Sequence, residues 1–295
     1  MDWEQGLIAV DWGTTNRRAW RLAPGGAVLD EMEDGRGILA VGPGGFEGAV
    51  AQVRERLRDL PMLMAGMIGS NRGWVEAPYV PCPAGLPELA ARLCWIEGER
   101  AAIVPGVAYQ EGEAADVMRG EEVQVLGAFA EGWLAPDATL CHPGTHNKWV
   151  RLEGGRIAAF RTVMTGELFS LLKGHSILAD LLVTPAEPGP AFERGLRHGL
   201  EQEDLTAELF SVRARTLLGK RPREEASAYV SGLLIGQDLK IGLAMAGEGE
   251  IIAMGRPDLT ALFGAALRSA GREARTIDGE AAFLAGIRHL VEHLQ

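Results

Sequence analysis

Leu7-Ile8-Ala9-Val10-Asp11-Trp12-Gly13-Thr14-Thr15-Asn16 is an apolar run that halts at a polar glycine turn, and Arg18-Ala19-Trp20-Arg21-Leu22 resumes it in alternation. The run reads as a strand, the turn as a hairpin loop and the alternating segment as a second strand. Pro24-Gly25-Gly26 then turns the chain into Ala27-Val28-Leu29-Asp30-Glu31, a third strand. A doubly wound fold would feed its first strand directly into a helix, so this opening points elsewhere. Near residue 136 the pattern starts again. Ala138-Thr139-Leu140-Cys141 is a strand, His142-Pro143-Gly144-Thr145-His146-Asn147 a glycine turn, and Lys148-Trp149-Val150-Arg151-Leu152 a strand that turns at Glu153-Gly154-Gly155 into Arg156–Thr162. The recurrence predicts two α/β lobes with a cleft between them, divided as residues 1–135 and 136–295.

Between these openings, helices are expected at Gly45–Leu60 and Gly120–Gly132, with strands at Met62–Met67 and Ala101–Pro105 and an ordered loop over the Pro-rich stretch Pro78–Pro87. The second half predicts helices near Leu168–Leu182, Ala191–His198, Asp204–Leu218 and Ala226–Ala244. A strand at Glu250–Met254, a helix at Pro257–Ser269 and a closing helix at Glu280–Leu294 follow.

The 295 residues carry 29 Lys plus Arg against 40 Asp plus Glu, a net charge of −11. Such a field repels polyanions, so no nucleic-acid partner is expected, nor an anionic membrane surface. No apolar run approaches the roughly 20 residues that span a bilayer. Met1-Asp2-Trp3-Glu4-Gln5 lacks a basic and apolar leader, which makes a cytoplasmic location the expectation. Cys82, Cys94 and Cys141 are odd in number and share no C-x-x-C spacing, so they read as small apolar fillers.

The turn Asp11–Asn16 sets a carboxylate at a strand end beside a glycine and two hydroxyls. Backbone N–H groups and hydroxyls in such a loop can hold phosphate oxygens, and the carboxylate can hold Mg²⁺ directly or through water. An ordinary hairpin turn accounts equally well for it in isolation. His142–Lys148 offers a second such loop, and a pair of opposed loops can grip a triphosphate from both sides. Between them, Met118-Arg119-Gly120-Glu121-Glu122 places two carboxylates at a helix start. One could take the proton of an attacking hydroxyl; alternatively both merely suit the helix macrodipole.

In order along the chain, Asp11-x-Gly13-Thr14-Thr15, Gly120-Glu121, Gly144-Thr145, Gly255 and Asp278-Gly279-Glu280-Ala281-Ala282 resemble the sugar-kinase/Hsp70/actin ATPase superfamily. More narrowly, Met67-Ile68-Gly69-Ser70, Met118–Glu122, Pro143–His146, Met164-Thr165-Gly166-Glu167 and Ser231–Gly236 resemble the 2-dehydro-3-deoxygalactonokinase family over about Leu7–Leu290. The resemblance implies two ribonuclease-H-like lobes of the actin-like ATPase type. It also implies ATP-dependent phosphorylation of 2-dehydro-3-deoxy-D-galactonate at its terminal 6-hydroxyl, a step of galactonate catabolism. On it, Asp11 organises Mg²⁺ and Gly13, Thr14 and Thr15 meet the phosphates of ATP from one lobe; Gly144, Thr145 and His146 meet them from the other. Gly255-Arg256-Pro257 looks like the adenosine loop; Asp258 beside it could cap its helix instead of touching ligand. Glu121 is the implied base; related kinases usually carry Asp there, which leaves Glu122 beside it as the other candidate.

A small anionic substrate on an acidic protein needs local positive charge or several backbone donors for its carboxylate. Arg72 is the first candidate, with Ser70 and Asn16 for hydroxyls and Trp74 as an apolar wall; Arg119 and Arg18 are the alternatives, and each arginine could instead serve an ion pair. A metal hydrolase built on His142 and His146 is disfavoured, because Pro143 and Gly144 between them break helical spacing. His289 and His293 have that spacing but no evident third ligand, and read as a solvated face. Neither G-x-x-x-x-G-K-[ST] nor a strand-to-helix G-x-G-x-x-G is present. The competing functions are a kinase for the gluconate-derived epimer and a non-catalytic ATP-binding sensor of the same fold; a monomer or homodimer is expected.

Overall fold

The opening segment forms the antiparallel meander β1 (Leu7–Trp12), β2 (Arg17–Leu22) and β3 (Val28–Asp34). Helix α1 (Phe46–Leu57) then carries the chain over to β4 (Met62–Gly66), which runs parallel to β1. Both β1 and β4 are almost wholly buried, and each is a near-continuous apolar run, as strands covered on two faces require. Val50, Val53 and Leu57 recur on one side of α1 and pack with Ile8, Val10, Met62 and Met64. The computed structural model describes residues 3, 5–42 and 44–294. Met1, Asp2 and Glu4, in the N-terminal stretch read above for a leader, lie outside the described residues.

Past β4 come β5 (Tyr79–Pro81), α2 (Leu86–Ala90), β6 (Cys94–Trp95), β7 (Ala101–Ile103), β8 (Gly106–Glu111), β9 (Ala114–Met118) and α3 (Glu121–Ala130). The main sheet is ordered β3-β2-β1-β4-β7-β6, and β5-β8-β9 form a smaller one. Sequence reading missed the β8–β9 hairpin. Its tip, Gln110-Glu111-Gly112-Glu113, is polar and its strands are half exposed, so no apolar alternation marks it.

The second meander is β10 (Ala138–His142), β11 (Asn147–Glu153) and β12 (Arg156–Val163). Helices α4 (Thr165–His175), α5 (Pro190–Glu201), α6 (Leu205–Leu217) and α7 (Ala226–Ala246) follow, then β13 (Ile251–Gly255), α8 (Pro257–Ser269) and β14 (Ala274–Asp278). The sheet order β12-β11-β10-β13-β14 repeats β3-β2-β1-β4-β7, with β10 and β13 parallel as β1 and β4 are. The repeat anticipated from the two glycine turns is therefore present, and its topology is the ribonuclease-H-like one that the resemblance implied. Helix α4 stops at His175 instead of running to Leu182, because the Ser176 hydroxyl donates to Leu172 O and accepts Leu178 N–H, which ends one helix and starts a short 3₁₀ turn at Ala179–Leu181. On α5 and α7, a Cβ at Gly195, Gly199, Gly232 or Gly236 would lie 2.0–2.4 Å from a carbonyl oxygen of the other helix. That close crossing explains the glycine spacing of Ser231–Gly236.

The chain closes with α9 (Gly279–Glu292). By contacts the protein divides into unit 1, Met1–Asp137 with Leu152–Ala159 and Gly279–Gln295, and unit 2, Ala138–Arg151 with Phe160–Asp278. The expected division left residues 279–295 with the second half; here they group with unit 1, where α9 lies on α3. A Cβ at Gly127 would fall 2.2 Å from Ala282 O, and one at Gly286 would fall 2.1 Å from Val123 O. Trp20, on the opposite face of β2 from Ala19, meets Phe283 of α9 at 5.5 Å between ring centroids.

Candidate active site

In unit 1 the β1–β2 turn has its carbonyls occupied. Gly13 N–H donates to Asn16 O at 2.9 Å, and the N–H groups of Gly37, Ile38 and Leu39 donate to Thr15, Gly13 and Thr14. Thr14, Thr15 and Asn16 are exposed, and among the described residues their N–H groups have no backbone acceptor. The loop therefore offers donors outward, the arrangement an anion needs. Sequence reading missed Gly37, the floor of this loop: a Cβ there would lie 2.4 Å from Thr14 C and O and from Thr15 C. The Gly35-Arg36-Gly37 pair of glycines was its only signal.

Asp11 lies across the ladder from Arg18, and Arg18 Nη2 donates to Asp11 Oδ2 at 2.7 Å. Arg18 Nη1 also reaches Glu280 at 3.5 Å, so this arginine is held by two carboxylates. On the other side of Asp11 stands Gly66 at the end of β4. A side chain at Gly66 would lie 3.5 Å from Asp11 Oδ1, and one at Gly120 would lie 3.2 Å from Gly66 Cα. The strand end, Gly66 and the start of α3 thus converge. Glycine at 66 leaves open the space in which the partly exposed Asp11 carboxylate could take a hard cation with water ligands, so the residues present fit Mg²⁺.

Gly120 adopts φ +106°, a left-handed conformation that glycine supplies cheaply, and launches α3 with two very different carboxylates. Glu121 is partly exposed and accepts Arg119 N–H at 3.2 Å. Glu122 is fully buried, accepts Gly120 N–H at 2.7 Å on Oε2, and leaves Oε1 without a partner. Burial first, and then the charge of Glu121, push the Glu122 carboxyl up to about 8. Near neutrality Glu122 is chiefly a neutral acid, while Glu121 is the carboxylate open to solvent.

The turn after β4 brings Ser70, Arg72 and Trp74 together. The Ser70 hydroxyl donates to Met67 O at 2.7 Å and accepts Arg72 N–H, so it builds the turn. Asn71, Arg72 and Trp74 line a pocket of about 350 Å³ with Phe46 and Glu47. Arg119 does not join them. It is buried behind Gly69, donates from Nη2 to Ala77 O at 2.8 Å and stacks on Tyr79 at 4.5 Å, while Nε and Nη1 lack partners.

In unit 2 the second glycine turn is held from beneath. Gly144 N–H donates to Asn147 Oδ1 at 2.7 Å, and Glu167 N–H donates to Thr145 O at 2.9 Å. His146 pairs with Glu167. A Cβ at Gly166 would lie 2.5 Å from Gly144 O, so the start of α4 backs directly onto the loop. Beside the turn is a pocket of about 230 Å³ with Phe169, Leu234, Ile235, Leu262 and Phe263 as apolar walls and Asn147, Thr165 and Ser231 as polar ones. Gly255 lies 3.6 Å, by its would-be Cβ, from Pro143 O, and so belongs to the same neighbourhood. Arg256 is turned to Asp258, with Nη2 donating at 2.6 Å, and Asp258, in the first turn of α8, also accepts backbone N–H groups there. Fully buried Asp238 of α7, which sequence reading did not single out, accepts from Asn147, Trp149 and Thr165. Its signal was a lone acid within an apolar helical run.

Of the histidines weighed for a metal, His289 bonds Glu131 and Glu292 at 2.7 Å each, so it is a helix-to-helix contact and not a purely solvated one. His198, Asp204 and Glu208 bring ligand atoms together elsewhere in unit 2, but Arg215 and Tyr229 already occupy the Glu208 carboxylate. That cluster is an ion-pair network.

Comparison with known proteins places this geometry. The fold is that of actin-like ATPases and sugar kinases: component A of (R)-2-hydroxyglutaryl-CoA dehydratase from Acidaminococcus fermentans aligns over 98% of this chain and 99% of its own, with a TM-score of 0.54 at 12% identity. A family model described as 2-keto-3-deoxy-galactonokinase matches residues 11–290, and the chain belongs to that kinase family. The 2-dehydro-3-deoxygalactonokinase of Escherichia coli K12 is 38% identical over 286 residues, 96% of each chain. A crystal structure from Sinorhizobium meliloti, provisionally named for the same activity, aligns over 98% of this chain and 99% of its own, with a TM-score of 0.91 at 36% identity. No helix among the described residues is long and apolar enough to cross a membrane.

Proposed function

We propose that this chain transfers the γ-phosphoryl group of ATP to the 6-hydroxyl of 2-dehydro-3-deoxy-D-galactonate, giving the 6-phosphate and ADP, as a cytoplasmic step of galactonate catabolism. The observation that carries the mechanism is the convergence of Asp11, Gly66 and the Gly120–Glu121 start of α3. A metal-binding carboxylate and an accessible base at one place suit phosphoryl transfer to an alcohol.

Glu121 is the base. It accepts the proton of the 6-hydroxyl as that oxygen bonds to the γ-phosphorus and the bond to the ADP oxygen breaks. The N–H groups and hydroxyls of Thr14 and Thr15 hold phosphate oxygens, and Gly13 lets the loop approach them closely. Asp11 would hold Mg²⁺, which when bound neutralises phosphate charge. In unit 2 the apolar pocket takes the adenine ring, Asn147, Thr165 and Ser231 face the ribose and phosphate side, and the Gly144–His146 turn meets the phosphates. Arg72 takes the substrate carboxylate at the pocket it lines with Trp74, and Asn16 contributes to hydroxyl recognition.

The test is an ADP-release assay with MgATP and a panel of sugar acids that includes the gluconate epimer, with mass spectrometry of the product. One phosphate on the terminal hydroxyl of the galactonate compound is the expected result. Turnover confined to the epimer replaces the substrate, and ATP binding without turnover on any acid replaces the enzyme with a sensor.

A further inference from the structure

We propose that Asp238 is a positioning residue for the nucleotide: through Asn147 and Thr165 it holds both the Gly144–His146 turn and the polar wall of the 230 Å³ pocket in their ATP-binding arrangement. The inference rests on the kinase reading of that pocket.

Asp238 lies in the apolar helix α7 with no exposed surface. A carboxylate there is costly unless every oxygen is satisfied. Three donors satisfy it. Asn147 Nδ2 donates to Oδ2 at 2.5 Å, Trp149 Nε1 donates to Oδ1 at 2.6 Å, and the Thr165 hydroxyl donates to Oδ2. Two of the three donors face the pocket, and each continues into the loop. Asn147 uses Oδ1 to receive Gly144 N–H. Thr165 opens α4, whose Gly166 is pressed against Gly144 O and whose Glu167 N–H reaches Thr145 O. One side chain therefore sets the amide orientation of Asn147, the rotamer of Thr165 and the start of α4. With its hydroxyl hydrogen spent on Asp238, Thr165 presents only acceptor capacity to the pocket, and Asn147 keeps one N–H to present. Asp238 thus decides which polar groups a nucleotide meets without touching the nucleotide itself.

Calorimetric titration with ATP, without sugar acid, tests this on wild type, Asp238→Asn, Asn147→Ala and the double variant, alongside KM for the sugar acid. Asp238→Asn turns an amide toward the Asn147 amide and should weaken ATP binding roughly tenfold, the scale of a lost hydrogen bond to a charged group, with sugar-acid KM unchanged. Because Asn147 carries part of what Asp238 does and Thr165 the rest, the loss in the double variant should fall short of the product of the two single losses. ATP affinity equal to wild type in Asp238→Asn, or effects that multiply in the double variant, would overturn the role. If Asp238→Asn does not fold, Thr165→Val removes one of its donors, and unchanged ATP affinity there overturns it equally. Wild-type protein that binds no ATP would instead overturn the kinase reading, and this inference with it.

Discussion

Arg18 stands opposite Asp11 in the β1–β2 ladder and donates to Asp11 Oδ2 at 2.7 Å, while Oδ1 lies 3.5 Å from where a Cβ at Gly66 would stand. The pair is partly exposed, so its own worth to stability is about 1 kcal/mol or less. Arg18 was an alternative for the substrate carboxylate; it is held by Asp11 and Glu280, and so orients the carboxylate we propose for Mg²⁺.

Asp11→Asn should therefore lower kcat/KM by at least tenfold and raise the Mg²⁺ concentration needed for half-maximal activity, while the melting temperature moves by only a few degrees. A Mg²⁺ titration and a thermal melt of the same preparation check both. If Arg18→Ala loses as much activity as Asp11→Asn with unchanged metal dependence, the carboxylate serves the hairpin and not the metal.

Glu121→Gln and Glu122→Gln should separate cleanly. Loss of a positioned base costs on the order of 10²–10⁴-fold in turnover, so Glu121→Gln should reduce kcat steeply with ATP affinity retained. Glu122 is already chiefly neutral near pH 7, and its isosteric amide should keep kcat within about threefold. Near-normal turnover in Glu121→Gln would reassign the base.

The Glu122 carboxyl also predicts a pH dependence of stability. Its folded value of about 8 lies above the ordinary carboxyl value, so between roughly pH 4.5 and 8 the native state binds more protons than the unfolded one. This group's contribution to stability is thus fully present below the lower limit and is lost as pH rises through 8. Glu122→Gln lacks that loss, so its melting temperature should gain on wild type from pH 5 to 8.5. Parallel curves would show that Glu122 is ionised within the fold.

Two glycines of α4 provide a matched comparison. At Gly166 a methyl group would sit 2.5 Å from Gly144 O, whereas at Gly174 nothing lies within 4 Å. Gly166→Ala should displace the Gly144–His146 turn and raise KM for ATP severalfold, with a stability loss of about 1–3 kcal/mol. Gly174→Ala should leave KM unchanged and add about 0.5–1 kcal/mol by helix propensity. Equal KM values in the two variants would remove the turn from the nucleotide site.

Arg72→Ala should raise KM for the sugar acid roughly tenfold or more, the scale of a charge-assisted contact, with KM for ATP unaltered. Arg72 is exposed, so stability should change by less than about 0.5 kcal/mol. An unchanged sugar-acid KM would move carboxylate recognition to another residue.

Local pattern was enough for much of this protein. The two glycine turns after apolar strands carried the duplicated topology, since strand period and turn chemistry are properties of a few adjacent residues. The same segments named Asp11, Glu121 and the two phosphate-binding turns as candidates. The helix start at Gly120 likewise announced two carboxylates, but only burial separates Glu122, raised to about 8, from its partly exposed neighbour. Folding also withdrew Arg119 behind Gly69 and spent the Ser70 hydroxyl on its own turn. It set Gly37 beneath Thr14 and Thr15, and it brought Asp238 to Asn147 across 91 positions of chain. Each of these outcomes depends on what covers a group and which donors reach it, and contacts between distant segments settle that, whereas local periodicity records only which face of an element is apolar.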